Sequence, residues 1–205
     1  MPVPPYLRLE NRLYLEWEEI DMALKDLIED MTIDKHVQIE QLPEIELYMD
    51  QVIQLFEMTF NDLKREEKEK IMTKTMINNY AKGGLLSPSR NKRYTKAHVM
   101  VISLIYEMKG ALSLKDIQKT LSQAEITEFQ DPHAVRSLYE DYLKSALSNT
   151  EEVKQRMKEQ AAALEEEFSE KINDPYVQQV LLILTFVHQS NLYRRAAEKL
   201  IDTLP

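Results

Sequence analysis

With 205 residues, 43% of them apolar and 30% charged, the chain can bury one substantial core or two small ones. Three glycines, ten methionines and an abundance of Glu, Lys, Leu and Gln point to an all-α protein. The lack of cysteine excludes disulfides and thiolate metal sites, and it fits a reducing, cytoplasmic setting. The opening MPVPPYLRLEN has none of the charged-then-apolar order of a signal peptide. The most apolar run, VLLILTFV at 180–187, is too short to span a bilayer, so no membrane partner is expected.

In chain order, residues 1–10 are Pro-rich and read as an extended arm. Leu13, Trp17, Ile20, Leu24, Leu27 and Met31 fall at spacings of three or four, predicting an amphipathic helix with an acidic outer face. TIDKHVQIEQLPE reads as a linker, and Pro43 is expected to start a helix burying Val52, Ile53, Phe56 and Phe60. The charged connection LKREEKEKIM follows. Thr73 then caps a short helix, Lys74 to Lys82, which Gly83-Gly84 ends by supplying a left-handed residue. Leu85 and Leu86 turn inward, SPSRNKR is an exposed basic loop, and Tyr94 closes it. Thr95 caps a helix with Val101, Ile102, Ile105 and Met108 on one face, and Gly110 stops it. Ser113 and Asp116 form a near capping box for a helix carrying Leu114, Ile117 and Leu121. Asp131-Pro132 starts a helix expected to reach Leu147. Asn149 or Thr150 would cap the next, striped by Val153, Met157, Ala161, Leu164 and Phe168. Asp174-Pro175 starts the last helix, to about Thr203, whose 180–187 run is apolar nearly all round and expected to be buried.

Charge is distributed unevenly. Between Lys70 and Tyr106 there are seven basic residues and no Asp or Glu; with −9 overall, the rest of the chain carries −16. A basic island in an acidic protein is either a solvated face or a surface for a polyanion. The order helix, basic loop, helix, turn, helix favours DNA.

This stretch resembles the DNA-binding head of MerR-type regulators, a winged helix-turn-helix family. The matching residues are Ile77, Tyr80, Gly84-Leu85-Leu86, Pro88, Arg90, Tyr94 and Gly110-x-Leu112-Ser113-Leu114-x-x-Ile117. The chain is also similar to a bacterial MerR-like family known only as a domain of unknown function. Two departures stand out: Asn78-Asn79 replace the usual Arg-Tyr pair, and the connection LKREEKEKIM is longer than the family's turn. The resemblance implies a MerR-like winged helix-turn-helix head at 43–122, flanked by an N-terminal arm and helix at 1–42 and a helical dimerisation or effector domain at 123–205. It implies that the helix 74–82 enters the major groove, with Thr73, Lys74, Asn78, Asn79 and Lys82 toward DNA. Asparagine can pair with the adenine edge, and lysine reaches guanine or phosphate. Arg90, Lys92, Arg93 and Lys96 would bind phosphates or the minor groove.

No enzyme reading competes. His36, His98, His133 and His188 lack metal-ligand spacing, and the glutamates at 16, 18 and 19 and at 165–167 sit on charged helix faces. No metal, cofactor or catalytic group is expected. Phe129, Tyr139, Tyr142, Phe168, Tyr176, Phe186 and Tyr193 are either core or the lining of a pocket for a small apolar ligand. The sequence thus reads as a cytoplasmic, DNA-binding transcription regulator that pairs as a homodimer on double-stranded DNA. The alternative is a non-enzymatic helical interaction module whose head no longer binds DNA.

Overall fold

The computed structural model describes residues 28, 35–89, 91–122, 132–168 and 175–205, the side chains at 132, 165–168 and 175 aside. The described chain is mostly helical, with one two-stranded sheet. The elements are β1 (Leu47–Tyr48), α1 (Met49–Phe60), α2 (Lys74–Lys82), β2 (Arg93–Tyr94), α3 (Lys96–Lys109), α4 (Leu114–Ser122), α5 (Pro132–Phe168) and α6 (Pro175–Thr203). Short 3-10 turns occupy Ile39–Gln41 and Asn61–Leu63. The chain divides into two compact units, one of residues 32–148 and 193–205, the other of 1–31 and 149–192.

The first unit is built around α3. All nine residues from Ala97 to Ile105 are buried, not only the predicted face, because α3 is enclosed by its neighbours. The hydrophobic run HVMVISLI is therefore a central helix. Val52, Phe56 and Phe60 of α1 are buried as predicted, and Ile53 is half-buried. Phe60 packs on Tyr106 of α3 with ring centroids 4.6 Å apart, and Phe56 sits edge-on to Tyr106 at 5.9 Å. Such pairs add about 0.5–1.5 kcal/mol beyond their area.

The same core extends past both predicted domain limits. Val37, Ile39 and Leu42 are buried in it, and so are Val135 and Tyr139 of α5. The Tyr139 hydroxyl donates to the Val37 carbonyl at 2.8 Å. His36 Nδ1 lies 3.2 Å from Glu107 and 3.4 Å from the Tyr142 hydroxyl. The segment read as a linker is thus a packed strap, and the limits at 42 and 122 do not delimit this unit. Nor does Pro43 start a helix: residues 43–46 stay non-helical and Leu47–Tyr48 pair antiparallel with Arg93–Tyr94, with Leu47 opposite Tyr94. Strand pairing between residues 45 and 47 apart in sequence outweighs a local helix start, and α1 begins only at Met49.

The long connection after α1 is folded down rather than looped out. Glu57 holds it at two points, accepting from Lys64 Nζ at 2.6 Å and from the Ile71 backbone N–H at 3.1 Å. Ile71 and Met72 then plug into the core, at 5% and 1% exposure.

The helix break predicted near 147–150 does not occur. α5 is one helix of 37 residues with no Gly, and no Pro after its first position, and Asn149 and Thr150 lie in its interior. Its predicted stripe keeps its sense: Ala161 is buried and Val153, Met157 and Leu164 are half-buried. The predicted bounds of α6 are met, Pro175 to Thr203, but its apolar run is not buried all round. Leu182 is buried, whereas Ile183, Leu184 and Val187 are more than half exposed. The predicted N-terminal helix lies outside the described residues except for Ile28, which is helical and buried. No described helix is long and apolar enough to cross a membrane.

Candidate nucleic-acid interface

α2 starts and stops as its sequence dictates. Thr73 Oγ1 accepts from the Met76 N–H at 3.2 Å, the predicted N-cap, which engages this hydroxyl in the fold. At the other end Leu85 N–H bonds the Tyr80 carbonyl at 2.9 Å and Gly84 N–H bonds Ala81 at 3.2 Å. This is a Schellman arrangement with Gly84 in the left-handed position, φ +69°. Ile77 and Tyr80 face the core, so Lys74, Asn78, Asn79 and Lys82 are left exposed. Burial pushes the Tyr80 phenol up to about 12.

Beyond α2 the basic loop returns to β2 through Asn91 and Lys92, both with positive φ, at +51° and +60°. Two consecutive left-handed residues are what a type I′ turn requires, and lysine adopts that conformation only at a cost of about 1 kcal/mol. Lys92 and Arg93 are exposed and Tyr94 is buried. Tyr94 meets His98 edge-on at 5.6 Å. Arg90 lies outside the described residues.

The α3 cap is unusual. Thr95 Oγ1 caps the His98 N–H, and the Thr95 N–H donates to His98 Nδ1 at 3.1 Å, so an imidazole takes the place a Glu fills in a capping box. That bond requires Nδ1 to be unprotonated. Burial holds the imidazole below its ordinary value, against the opposing backbone groups of Ser87 and Pro88 and the charge of Glu46.

Three residues outside the basic window complete the surface, and none is signalled by local sequence. Lys74 Nζ pairs with Asp50 at 2.7 Å. Arg93 donates to the Tyr48 hydroxyl at 3.3 Å and lies over the Tyr48 ring, 5.4 Å from its centroid. Lys96 Nζ pairs with Glu44 at 2.5 Å, which lowers the Glu44 carboxyl. Tyr48 and Asp50 are two residues apart where β1 meets α1. The start of α2 and the end of the basic loop therefore converge on one short segment. Lys82 and Lys92 form no ion pair among the described residues.

The aromatic residues of the C-terminal half differ in burial, and Phe186 is half-buried. Tyr139 and Tyr142 belong to the core of the first unit, while Tyr176 and Tyr193 are exposed at 64% and 63%. Phe129 and the Phe168 side chain lie outside the described residues, as do the glutamates at 16–19 and the side chains of those at 165–167. Among the described residues no group of three His, Cys, Asp or Glu side chains is placed to hold a metal ion.

The profile of a family described as a domain of unknown function, DUF1836, matches residues 37–142, which is 106 of the 205 residues. The chain belongs to this family. The matched span closely follows the core from Val37 to Tyr139, so the strap before β1 and the start of α5 are part of the family's domain. No curated protein and no solved structure matches the chain.

Proposed function

We propose that this protein is a sequence-specific regulator of transcription that binds double-stranded DNA through a winged helix-turn-helix head and works as a homodimer. The observation that carries this reading is the convergence of Lys74 of α2 and Arg93 of β2 on Asp50 and Tyr48. It gathers basic groups 19 residues apart onto one surface beside the exposed amides of Asn78 and Asn79. Two further features support it. α1 and α2 pack on each other despite a connection far longer than the usual three- or four-residue turn. Lys92 is held in a costly left-handed conformation with its side chain in solvent, and such strain tends to cluster at functional positions.

In this arrangement the outer face of α2 lies in the major groove. Asn78 reads a base edge, while Lys82, Lys92 and Arg93 contact phosphates. Fluorescence anisotropy on a selected duplex, across a salt series, tests the reading. About four neutralised phosphates per protomer give a slope of log K on log salt of about −3.6. Asn78→Ala should cost about 1–3 kcal/mol on the selected site and relax its sequence preference. No binding to any duplex at low salt would overturn the reading in favour of a protein-interaction module.

A further inference from the structure

α6 carries a surface that the DNA-binding reading does not use. Residues 175–193 are 19 consecutive positions without Asp, Glu, Lys or Arg, in a chain that is 30% charged. On this part of α6 one side is buried, through Gln178 and Leu182. The opposite side presents Tyr176, Val180, Ile183, Leu184 and Val187, spaced four, three, one and three apart, which is one helical stripe. Tyr176, Ile183, Leu184 and Val187 are 64%, 54%, 57% and 52% exposed, and Val180 is half-buried. Depletion of charge combined with aliphatic and tyrosine side chains is the composition of an interface centre rather than of a solvated face.

We propose that this stripe is where two copies of the chain pair, side by side and antiparallel. The proposal deepens the homodimer of the preceding reading and does not depend on DNA binding. Three arguments select a second copy as the occupant. The patch has no charge, so it offers nothing to an acidic or basic partner, yet it faces its own copy without like-charge repulsion. The spacing 176, 180, 183, 187 reads the same in reverse. Antiparallel copies therefore set Tyr176 against Val187 and Val180 against Ile183 in both halves at once, and opposed helix dipoles favour that direction. The exposed parts of the five side chains amount to roughly 450 Å² per protomer, about 900 Å² for the pair, at the small end of the range for specific interfaces. An interface of this size fits a reversible dimer rather than an obligate one.

Sedimentation of the full chain tests it, with circular dichroism to follow folding. The wild type should be dimeric at tens of micromolar. Ile183→Glu and Val180→Lys, each alone, should be monomeric with unchanged helix content, since Ile183 is already largely in solvent. Mixing the two variants should restore a mixed dimer, because antiparallel pairing sets the lysine introduced at position 180 of one copy against the glutamate introduced at position 183 of the other. A monomeric wild type overturns both this proposal and the homodimer. A wild-type dimer that persists in Ile183→Glu overturns the surface and leaves the homodimer standing. Failure of the mixture to pair overturns the antiparallel register. Anisotropy on DNA is read separately, so loss of DNA binding cannot be mistaken for any of these results.

Discussion

Replacing Asp50 by Asn tests the electrostatic layout of the proposed interface directly. Asp50 lies 2.7 Å from Lys74, and the two side chains are 74% and 62% exposed. A pair so open to water contributes at most a few tenths of a kcal/mol, so Asp50→Asn should unfold within about 0.5 kcal/mol of the wild type. Its effect on DNA binding should be much larger. The substitution removes a negative charge from the face proposed to meet phosphate, and it frees Lys74 to release a counterion of its own. One additional phosphate contact steepens the slope of log K on log salt by about 0.9, which at about 0.1 M salt is a factor of roughly 8 in affinity. In the proposed wild-type complex a phosphate already competes for Lys74, so part of that gain is already realised. The expected measurement is a three- to eightfold tighter complex, by an order-of-magnitude estimate on the same counterion argument. Lys74→Ala should move affinity and slope the opposite way. Anisotropy titrations of the three proteins on one duplex, at several salt concentrations, supply all the needed values. Unchanged affinity and slope in Asp50→Asn, on a duplex the wild type binds, would remove Lys74 from the interface. A weakened complex would instead mean that Asp50 positions Lys74, and the layout argued above would be wrong.

Three further outcomes follow from the fold. Gly84→Ala should destabilise by about 1–2 kcal/mol in urea, because a left-handed residue gains a Cβ, 3.0 Å from the Gln118 amide nitrogen. Gly110→Ala should stabilise by about 0.4–1 kcal/mol, since Gly110 is in the right-handed helical region with no atom within 4.0 Å of the added carbon except the Glu107 carbonyl at that distance. Glu57→Gln should cost about 1–2 kcal/mol by weakening the hold on Lys64 and Ile71, and urea titrations at several pH values should show the same group in the wild type. The Lys64 hydrogen bond lowers the Glu57 carboxyl from 4.5, so this stability is present above that value and lost as pH falls through the depressed one. His98 has the same sign for a different reason: burial lowers its imidazole from 6.5, so its contribution is complete above 6.5 and declines as pH falls toward and through the folded value. His98→Gln, measured by urea unfolding between those pH values, should flatten that part of the profile.

The parts of this fold that were legible in the sequence are those fixed within a few residues. Thr73, Thr95 and Ser113 each cap the predicted helix, and Gly84 closes α2 in the predicted left-handed conformation. Each is a local contest between backbone groups and one side chain, which adjacent residues decide. Gly110 shows the limit of that rule: it ends α3 without a left-handed φ, so its presence marked the boundary but not the mechanism. Local sequence is a poor guide where distant partners decide. Residues 32–44 read as a linker because Val37, Ile39 and Leu42 have no helical period, yet Tyr139 and the core of α3 bury them. Asn149 and Thr150 looked like caps, but a cap residue terminates a helix only when nothing favours continuing it. With no Gly, and no Pro after its first position, the stretch 132–168 holds no residue that breaks a helix, and α5 runs on through both.

The proposed site divides along the same line. Lys74, Asn78, Asn79, Lys82, Lys92 and Arg93 were legible because a basic, carboxylate-free window is a property of consecutive residues, and all six are exposed. What that window conceals is how much of its charge is already met. Asp50 and Glu44 lie outside it, at 24 and 52 residues from the lysines they pair with, and Tyr48 covers Arg93 from 45 residues away. The fold thus sets carboxylates against two of the lysines that the linear pattern presents as free, and leaves Lys82 and Lys92 without an ion pair among the described residues. Exposed pairs are weak, so they do not prevent contact with phosphate. They do subtract from every complex alike, and a complex that depends less on charge must gain more from base contacts. On that argument the acidic partners make Asn78 more decisive for affinity than the count of basic residues alone would suggest.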